Sequence, residues 1–117
     1  MKKVETIIRK AMFDEVKDAL HDVGIEFITF WEVRGVGKQT EGRVYRGIAY
    51  DTSTIERMII TFVCREKYLD GAIKAILKSA KTGEVGDGKI FISDIVDAYR
   101  IRTGEQGDKA MYLEGGE

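Results

Sequence analysis

Along Lys3–Arg9 (KVETIIR) apolar residues occupy both sides of an extended run, Val4 and Ile8 on one face and Ile7 on the other, and the β-branched content predicts a strand. Met12, Val16, Ala19, Leu20 and Val23 then recur at helical spacing with Asp14, Glu15, Lys17 and Asp18 between them, which predicts an amphipathic helix. Gly24 supplies a residue able to adopt the left-handed cap that ends it. A second strand is predicted over Glu26–Arg34 (EFITFWEVR), whereas Gly35–Glu56 is polar, glycine-rich and carries neither period. Arg57–Cys64 (RMIITFVC) predicts a third strand, and Tyr68, Leu69, Ala72, Ile73, Ile76 and Ala80 mark a second amphipathic helix. Thr82–Gly88 reads as a loop, Lys89–Ile95 as a fourth strand and Ala98–Arg102 as a last short extended piece.

The order βαβ, long loop, βαβ predicts an α+β fold of the ferredoxin-like type, an antiparallel sheet with both helices on one face. One domain is expected over residues 1–117, with a long loop over about residues 36–56 and a polar C-terminal tail over about residues 105–117. A sheet covered on one face should alternate apolar and polar residues. The third strand departs from this: Met58, Ile60 and Phe62 point one way, Ile59 and Val63 the other, and only Thr61 interrupts. The fourth strand sets Ile90 and Ile92 opposite Phe91. Leaving the second face in water would forfeit roughly 1.5–3 kcal/mol for each large side chain, and such a patch marks an interface. The helix-free face is therefore expected to be buried against other copies in a closed symmetric oligomer. A C-terminal tail folded across it is the weaker alternative, since Gly104–Glu117 offers only Met111, Tyr112 and Leu113.

Composition narrows the function classes. With 44% hydrophobic and 33% charged residues, the 117-residue chain can bury one core and falls outside the disordered class. Lys plus Arg number 19 against 20 Asp plus Glu, and this balance argues against a duplex-DNA binder held mainly by phosphate contacts. A single cysteine, Cys64, excludes an internal disulfide or a Cys-cluster zinc site. No apolar run approaches ~20 residues. Met1-Lys2-Lys3 leads into Val4–Ile8, too short and too broken by charge for a signal peptide, so a cytoplasmic location is expected.

Proline is absent, and glycines concentrate at Gly35, Gly37, Gly42 and Gly47 and again at Gly83, Gly86 and Gly88. In the second cluster, Gly86 and Gly88 allow backbone N–H groups to turn inward and form an anion-binding concavity, with Lys89 as a point charge at its edge. Asp87 lies between them. The spacing is not that of a Walker loop, and a strand follows where a helix would be needed. The plainer reading is a glycine-rich turn. Arg100 and Arg102, two apart on an extended segment, would share a face and suit a polyphosphate together with Lys89. The alternative is a solvated edge with the arginines paired to nearby acids. In the first cluster Gly35, Gly37 and Lys38 again combine close backbone approach with charge, and Gln39 can donate and accept. The loop beyond exceeds the ~12–15 residues of an idle connection, and Tyr45, Arg46 and Tyr50 within it are side chains typical of contact surfaces. Disorder of a segment like this is compatible with partner binding. His21 falls on the polar side of the first helix, Cys64 ends a buried strand with no histidine near it in sequence, and Trp31 reads as core or interface. No Ser-His-Asp, Cys-His or paired-carboxylate set is present to catalyse a reaction.

These residues resemble the P-II nitrogen-regulatory signal-transduction family over about Met1–Glu105. The likeness rests on Lys2-Lys3-Val4-Glu5, Gly35-Val36-Gly37-Lys38-Gln39 and Val44-Tyr45-Arg46-Gly47-Ile48-Ala49-Tyr50. It continues in Lys81-Thr82-Gly83-Glu84-Val85-Gly86-Asp87-Gly88-Lys89-Ile90-Phe91 and Ile101-Arg102-Thr103-Gly104-Glu105. The resemblance implies a homotrimer of ferredoxin-like subunits with ATP or ADP in the clefts between them, and 2-oxoglutarate joining MgATP at the base of the long loop, the family's T-loop. It implies that Gly86, Asp87, Gly88, Lys89, Arg100 and Arg102 hold phosphates while Gly35, Gly37 and Lys38 line the same cleft. By the same likeness Gln39 meets Mg²⁺ and 2-oxoglutarate, and Arg57 stands where the family has a lysine for the distal carboxylate. Tyr50 matches the tyrosine uridylylated in some members, and Arg46 the arginine that plugs the ammonium channel in others. The chain departs from the pattern by a T-loop one residue shorter between Gln39 and Tyr45, by Lys10 and Glu56 in place of prolines, by Arg57 in place of lysine, and by Thr61 where many members carry glutamate near the adenine.

The expected function is a non-catalytic sensor whose ligands bias the long loop between two states that bind or release a target, an ammonium transporter or another nitrogen-metabolism protein. A membrane would be met only through such a transporter, and no nucleic acid is expected. The alternatives are a P-II-like sensor of carbon or bicarbonate status that binds adenine nucleotides without 2-oxoglutarate, a nucleotide hydrolase, and a ferredoxin-like metal-tolerance or RNA-binding module.

Overall fold

The structure is a computed structural model that describes residues 1–36, 44–45, 48–49 and 55–111. Strand β1 (Lys2–Arg9) passes through a 3₁₀ turn (Lys10–Met12) into helix α1 (Phe13–Asp22). Strand β2 (Thr29–Gly35) follows, then two short strands, β3 (Val44–Tyr45) and β4 (Ile48–Ala49), and the long strand β5 (Ile55–Cys64). Helix α2 (Glu66–Ala80), strand β6 (Gly88–Asp94) and a single helical turn, α3 (Asp108–Met111), are the remaining elements among the described residues. The main sheet has the order β2-β5-β1-β6 with every neighbour antiparallel, and β3 pairs with β4 alone. This is the ferredoxin-like arrangement, with both helices on one face.

Strand parity decides which side chains make the core. Val4, Thr6 and Ile8 of β1 and Met58, Ile60, Phe62 and Cys64 of β5 are all buried, and they alternate with half-buried neighbours. Val16 and Leu20 of α1 and Ala72, Ile76 and Ala80 of α2 close over them at helical spacing. Thr6, the buried polar residue of this face, donates its hydroxyl to the Lys89 carbonyl at 3.0 Å. Helix α1 ends as expected at Gly24, whose φ of 94° lets the Gly24 N–H donate to the His21 carbonyl and the Ile25 N–H to the Leu20 carbonyl. Cys64 is buried, and burial pushes its thiol pKa up, as suits a core residue; His21 is exposed.

Three expectations need correction. The second strand begins at Thr29, not Glu26, because Thr29 pairs with Thr61 and the residues before it peel away from β5. Ala98–Arg102 is not extended: Tyr99 makes an isolated bridge with Gln106, and the Gly104 N–H donates to the Arg100 carbonyl at 2.7 Å, closing a turn that the positive φ of Gly104 permits. The stretch Gly35–Glu56 contains the β3–β4 ladder and the first residues of β5.

On the helix-free face, register aligns Trp31, Ile59 and Ile7 in one row across β2, β5 and β1, with Lys89 of β6 at its end. Trp31 is 42% exposed and Phe91 50% exposed, so the protomer alone leaves large rings in water. Neighbouring rows carry Lys3, Glu5, Arg9 and Arg57 among Val33, Val63 and Phe91. The face is apolar in a band and threaded with charge on either side.

Gly71 lies in the interior of α2, and a Cβ added there would meet Val23 at 3.9 Å, an ordinary contact. Gly71→Ala is expected to raise stability by about 0.5–1 kcal/mol through helix propensity, read as a higher urea midpoint with unchanged slope.

Candidate functional site

Four strand termini meet at one end of the sheet. Arg9 ends β1 opposite Arg57 of β5, Gly35 ends β2 opposite Ile55, and Gly88 opens β6 opposite Ile8. The connection from α2 to β6 crosses this end. At Gly88 no other residue fits, because φ is 110° and a Cβ would lie 1.7 Å from the Ile7 carbonyl oxygen. Gly83 and Gly86 also take positive φ, and their freedom lets the connection fold into a tight loop.

Asp87 organises that loop from inside. Its carboxylate accepts from the Thr82 N–H at 2.8 Å, the Gly83 N–H at 2.8 Å and the Thr82 hydroxyl, and from Arg9 Nε at 3.1 Å. The Thr82 oxygen in turn accepts from the Glu84 N–H at 3.2 Å. The Thr82 hydroxyl foremost, then the Gly83 and Thr82 amides and Arg9, hold the Asp87 carboxyl well below the usual carboxylate range, against an opposing contribution from burial. Arg9 Nη2 also donates to the Val85 carbonyl at 2.9 Å, and Arg57 donates to the Gly86 carbonyl. Burial, with the neighbouring Arg9 charge, lowers the Arg57 pKa, and Asp87 opposes the shift. Arg9, Arg57 and exposed Lys89 thus surround a glycine loop at a sheet end, an arrangement suited to a multiply charged anion.

The opposite end of β5 bears a separate cavity of about 260 Å³, walled by the segment from Gly24 to Thr29, by Thr61–Cys64, and by Lys3, Tyr68 and Met111. The departure of Glu26–Ile28 from the sheet opens it. Beside this end lies the C-terminal turn, fixed by the Arg65–Asp108 ion pair (2.8 Å) and by Gln106 donating to Asp97 at 2.6 Å. At the root of the long loop, Lys10 pairs with Glu32 at 3.0 Å and Glu56 at 3.6 Å, and Arg34 reaches Glu56 at 4.0 Å. These exposed pairs tie both legs of the loop to the start of α1.

The family model for nitrogen regulatory protein P-II matches residues 1–105. The chain belongs to the P-II family. Nitrogen regulatory proteins P-II from Rhodospirillum rubrum and Azospirillum brasilense are each 44% identical to it over 112 residues, covering 95% of this chain and 100% of the relative. That from Bradyrhizobium diazoefficiens is 45% identical over the same span and coverage. P-II proteins are signal-transduction regulators, and this chain is one of them.

The P-II chain brings Gly35, Arg57, Gly86, Asp87, Gly88 and Lys89 to one end of the sheet, and it places Arg100 and Arg102 at the other. The position of the arginines follows from Lys2 pairing with both Cys64 and Asp94, from the Ile95 N–H donating to the Met1 carbonyl, and from Asp108 joining Arg65. Arg100 meets Glu105 at 2.6 Å, and Arg102 is exposed on the turn, so the two do not share the face of a strand. Gly37, Lys38, Gln39, Arg46 and Tyr50 lie outside the described residues, as does the Tyr45 side chain. Lys10 and Glu56, which stand where the family pattern has prolines, meet in an ion pair. Among the described residues no group of three or more His, Cys, Asp and Glu could hold a metal ion, and no helix is long and apolar enough to cross a membrane.

Sequence reasoning missed Arg9 and Thr82. The parity of KVETIIR puts Arg9 on the face of Ile7, a signal present in the sequence, but only the register brings it under the glycine loop.

The folded carboxyl of Asp87 titrates below its unfolded counterpart, so its contribution to stability is present above the unfolded value of about 3.9 and is lost as acid titrates the folded group. Asp87→Asn is expected to be less stable than wild type at neutral pH, with the difference shrinking as pH falls below about 4. Chemical denaturation across that range checks it.

Proposed function

We propose that this P-II chain is a non-catalytic cytoplasmic sensor that assembles as a homotrimer and binds ATP or ADP between its copies. The observation that carries the reading is the division of the candidate phosphate-binding residues between the two ends of the sheet. From Gly88 to Asp94, β6 spans 7 residues, about 20 Å, beyond what an arginine side chain bridges. Lys89 with its glycine loop and Arg100 with Arg102 therefore serve one nucleotide only if two copies each lend one end. The cavity near Thr61 is consistent with this, since 260 Å³ lies below the ~300–1,000 Å³ of a complete ligand pocket. It suits the base, with Thr61 in place of the family's glutamate, and the phosphates would reach the neighbour's Gly86, Gly88 and Lys89.

Assembly is supported by the exposed band on the helix-free face and by a groove of about 1010 Å³ between α2 and the outer edge of β6, where Leu77 is 58% and Ile92 46% exposed. Both would be costly to leave in water at ~25 cal/mol per Å². In this reading Gly35, Gly37 and Lys38 line the nucleotide cleft. Gln39 meets Mg²⁺ and 2-oxoglutarate, and Mg²⁺ is otherwise held by phosphate and water, as is usual for that ion. Arg57 has five N–H donors, so its bond to Gly86 leaves capacity for the distal carboxylate of 2-oxoglutarate. Tyr45, Arg46 and Tyr50 would present the loop to an ammonium transporter or another nitrogen-assimilation protein, with Tyr50 as a site of modification. The response needs only that ligands bind one loop state more tightly. A second reading, a carbon- or bicarbonate-status sensor that binds adenine nucleotides without 2-oxoglutarate, would follow if the bond from Arg57 to Gly86 kept the guanidinium turned toward the glycine loop when nucleotide is bound.

Arg102→Ala is expected to weaken ATP binding by about 1.5–3 kcal/mol in calorimetry, the scale of a charge-assisted hydrogen bond; unchanged affinity removes Arg102 from the site. Light scattering is expected to give the mass of three chains, and a monomer contradicts the shared cleft. 2-Oxoglutarate is expected to bind only in the presence of MgATP, and no binding under either condition selects the second reading.

A further inference from the structure

The resemblance groups Asp87 with residues that hold phosphate, yet a carboxylate repels a phosphate, and this one is already engaged. Its oxygens accept from the amides of Thr82 and Gly83, from the Thr82 hydroxyl and from Arg9. Thr82 and Gly83 open the glycine loop and Asp87 nearly closes it, so these bonds join the loop's two legs across 4–5 residues of chain. Arg9 then fixes the joined loop to the sheet by holding Asp87 with Nε and the Val85 carbonyl with Nη2. Asp87 and Arg9 are each only about a quarter exposed, with side-chain values of 24% and 23%, so this pair is shielded more than a surface ion pair. A loop with several glycines has many backbone states available, and an anion that had to select one of them would bind more weakly by the fraction of molecules in that state.

We propose that Asp87 is a positioning residue whose carboxylate acts on the loop and not on the nucleotide: it staples the glycine loop shut around Thr82 and Gly83, and Arg9 anchors the staple to β1, so that the phosphate-binding shape exists before the ligand arrives. The inference rests on the nucleotide reading of the site. It also gives the loop a requirement for a negative side chain at the centre of a site for anions, with Arg9 neutralising it from beneath.

The test compares the full-length protein with Asp87→Asn, Thr82→Val and Thr82→Ser. Hydrogen exchange at the Thr82 and Gly83 amides is measured without ligand, and calorimetry is run with ATP and with adenosine, which carries no phosphate. Asp87→Asn and Thr82→Val are expected to speed exchange at these amides and to raise the ATP dissociation constant by about tenfold, the worth of a lost charge-assisted bond, while the adenosine affinity stays as in wild type. Thr82→Ser keeps the hydroxyl and is expected to match wild type. Unchanged exchange in Asp87→Asn overturns the staple. Faster exchange with unaltered ATP affinity overturns the positioning role, as does an equal loss for adenosine and ATP. Wild-type protein that ignores ATP overturns the nucleotide reading itself, whereas tight wild-type binding with an indifferent Asp87→Asn variant overturns this inference alone.

Discussion

Strand β5 is hydrogen-bonded along both edges, to β1 on one side and β2 on the other, and the chemistry of the chain is disposed about its two ends. Its even-numbered residues from Met58 to Cys64 are buried beneath the helices and form the core. What remains is a bare face and two rims. At one rim Arg57 stands beside Arg9 under the glycine loop; at the other, Thr61–Cys64 wall a cavity beside the C-terminal turn. A strand is too stiff and too long for these rims to approach each other. In the proposed reading one nucleotide draws on both rims, so association between copies would be a chemical requirement as well as a way of covering Trp31 and Phe91.

The glycine loop shows how a flexible composition yields a defined shape. Glycine gives the chain access to the required turns but does not select among them. Selection comes from one carboxylate that gathers the loop's own donors and from two arginines of neighbouring strands that hold its carbonyls. Arg9 and Arg57 repel each other, and Asp87 offsets that repulsion at the point where both approach the loop. The balance is local, and it lies directly beneath the N-terminal end of β6, where Lys89 projects.

The long amphipathic elements were legible in the sequence because burial imposes a period on them: β1, β5, α1 and α2 follow from the spacing of Val4, Ile8, Val16, Leu20, Ile60 and Ile76. Where burial did not impose a period, sequence reasoning failed. Glu26–Ile28 looks like strand by composition, but pairing with β5 starts only at Thr29 although β5 itself runs on to Cys64, and nothing local encodes where an edge strand leaves its partner. Ala98–Arg102 looks extended until Gly104 closes a turn on Arg100 from outside the segment. Half of the candidate site was legible from its glycines and Lys89. Arg9 was not, because a cation at the end of a strand gains meaning only from which loop the register sets above it. Asp87 was legible as a member of the motif but not as the acceptor that ties the loop's two legs, because its donors on Thr82, Gly83 and Arg9 are known only from the fold.

The parity of β1 has a consequence for how this chain can vary in length. Val4, Thr6 and Ile8 face the helices while Ile7 and Arg9 face away, so the strand is in phase with both the core and the loop. An insertion or deletion of one residue within it would invert every later side chain, driving a guanidinium toward Ile60 and Ile76 and turning Ile8 out to solvent. Changes of length are tolerable where no such phase is kept. The eight residues of β1 are in effect a fixed ruler, and lineages that lengthen or shorten this protein must do so elsewhere.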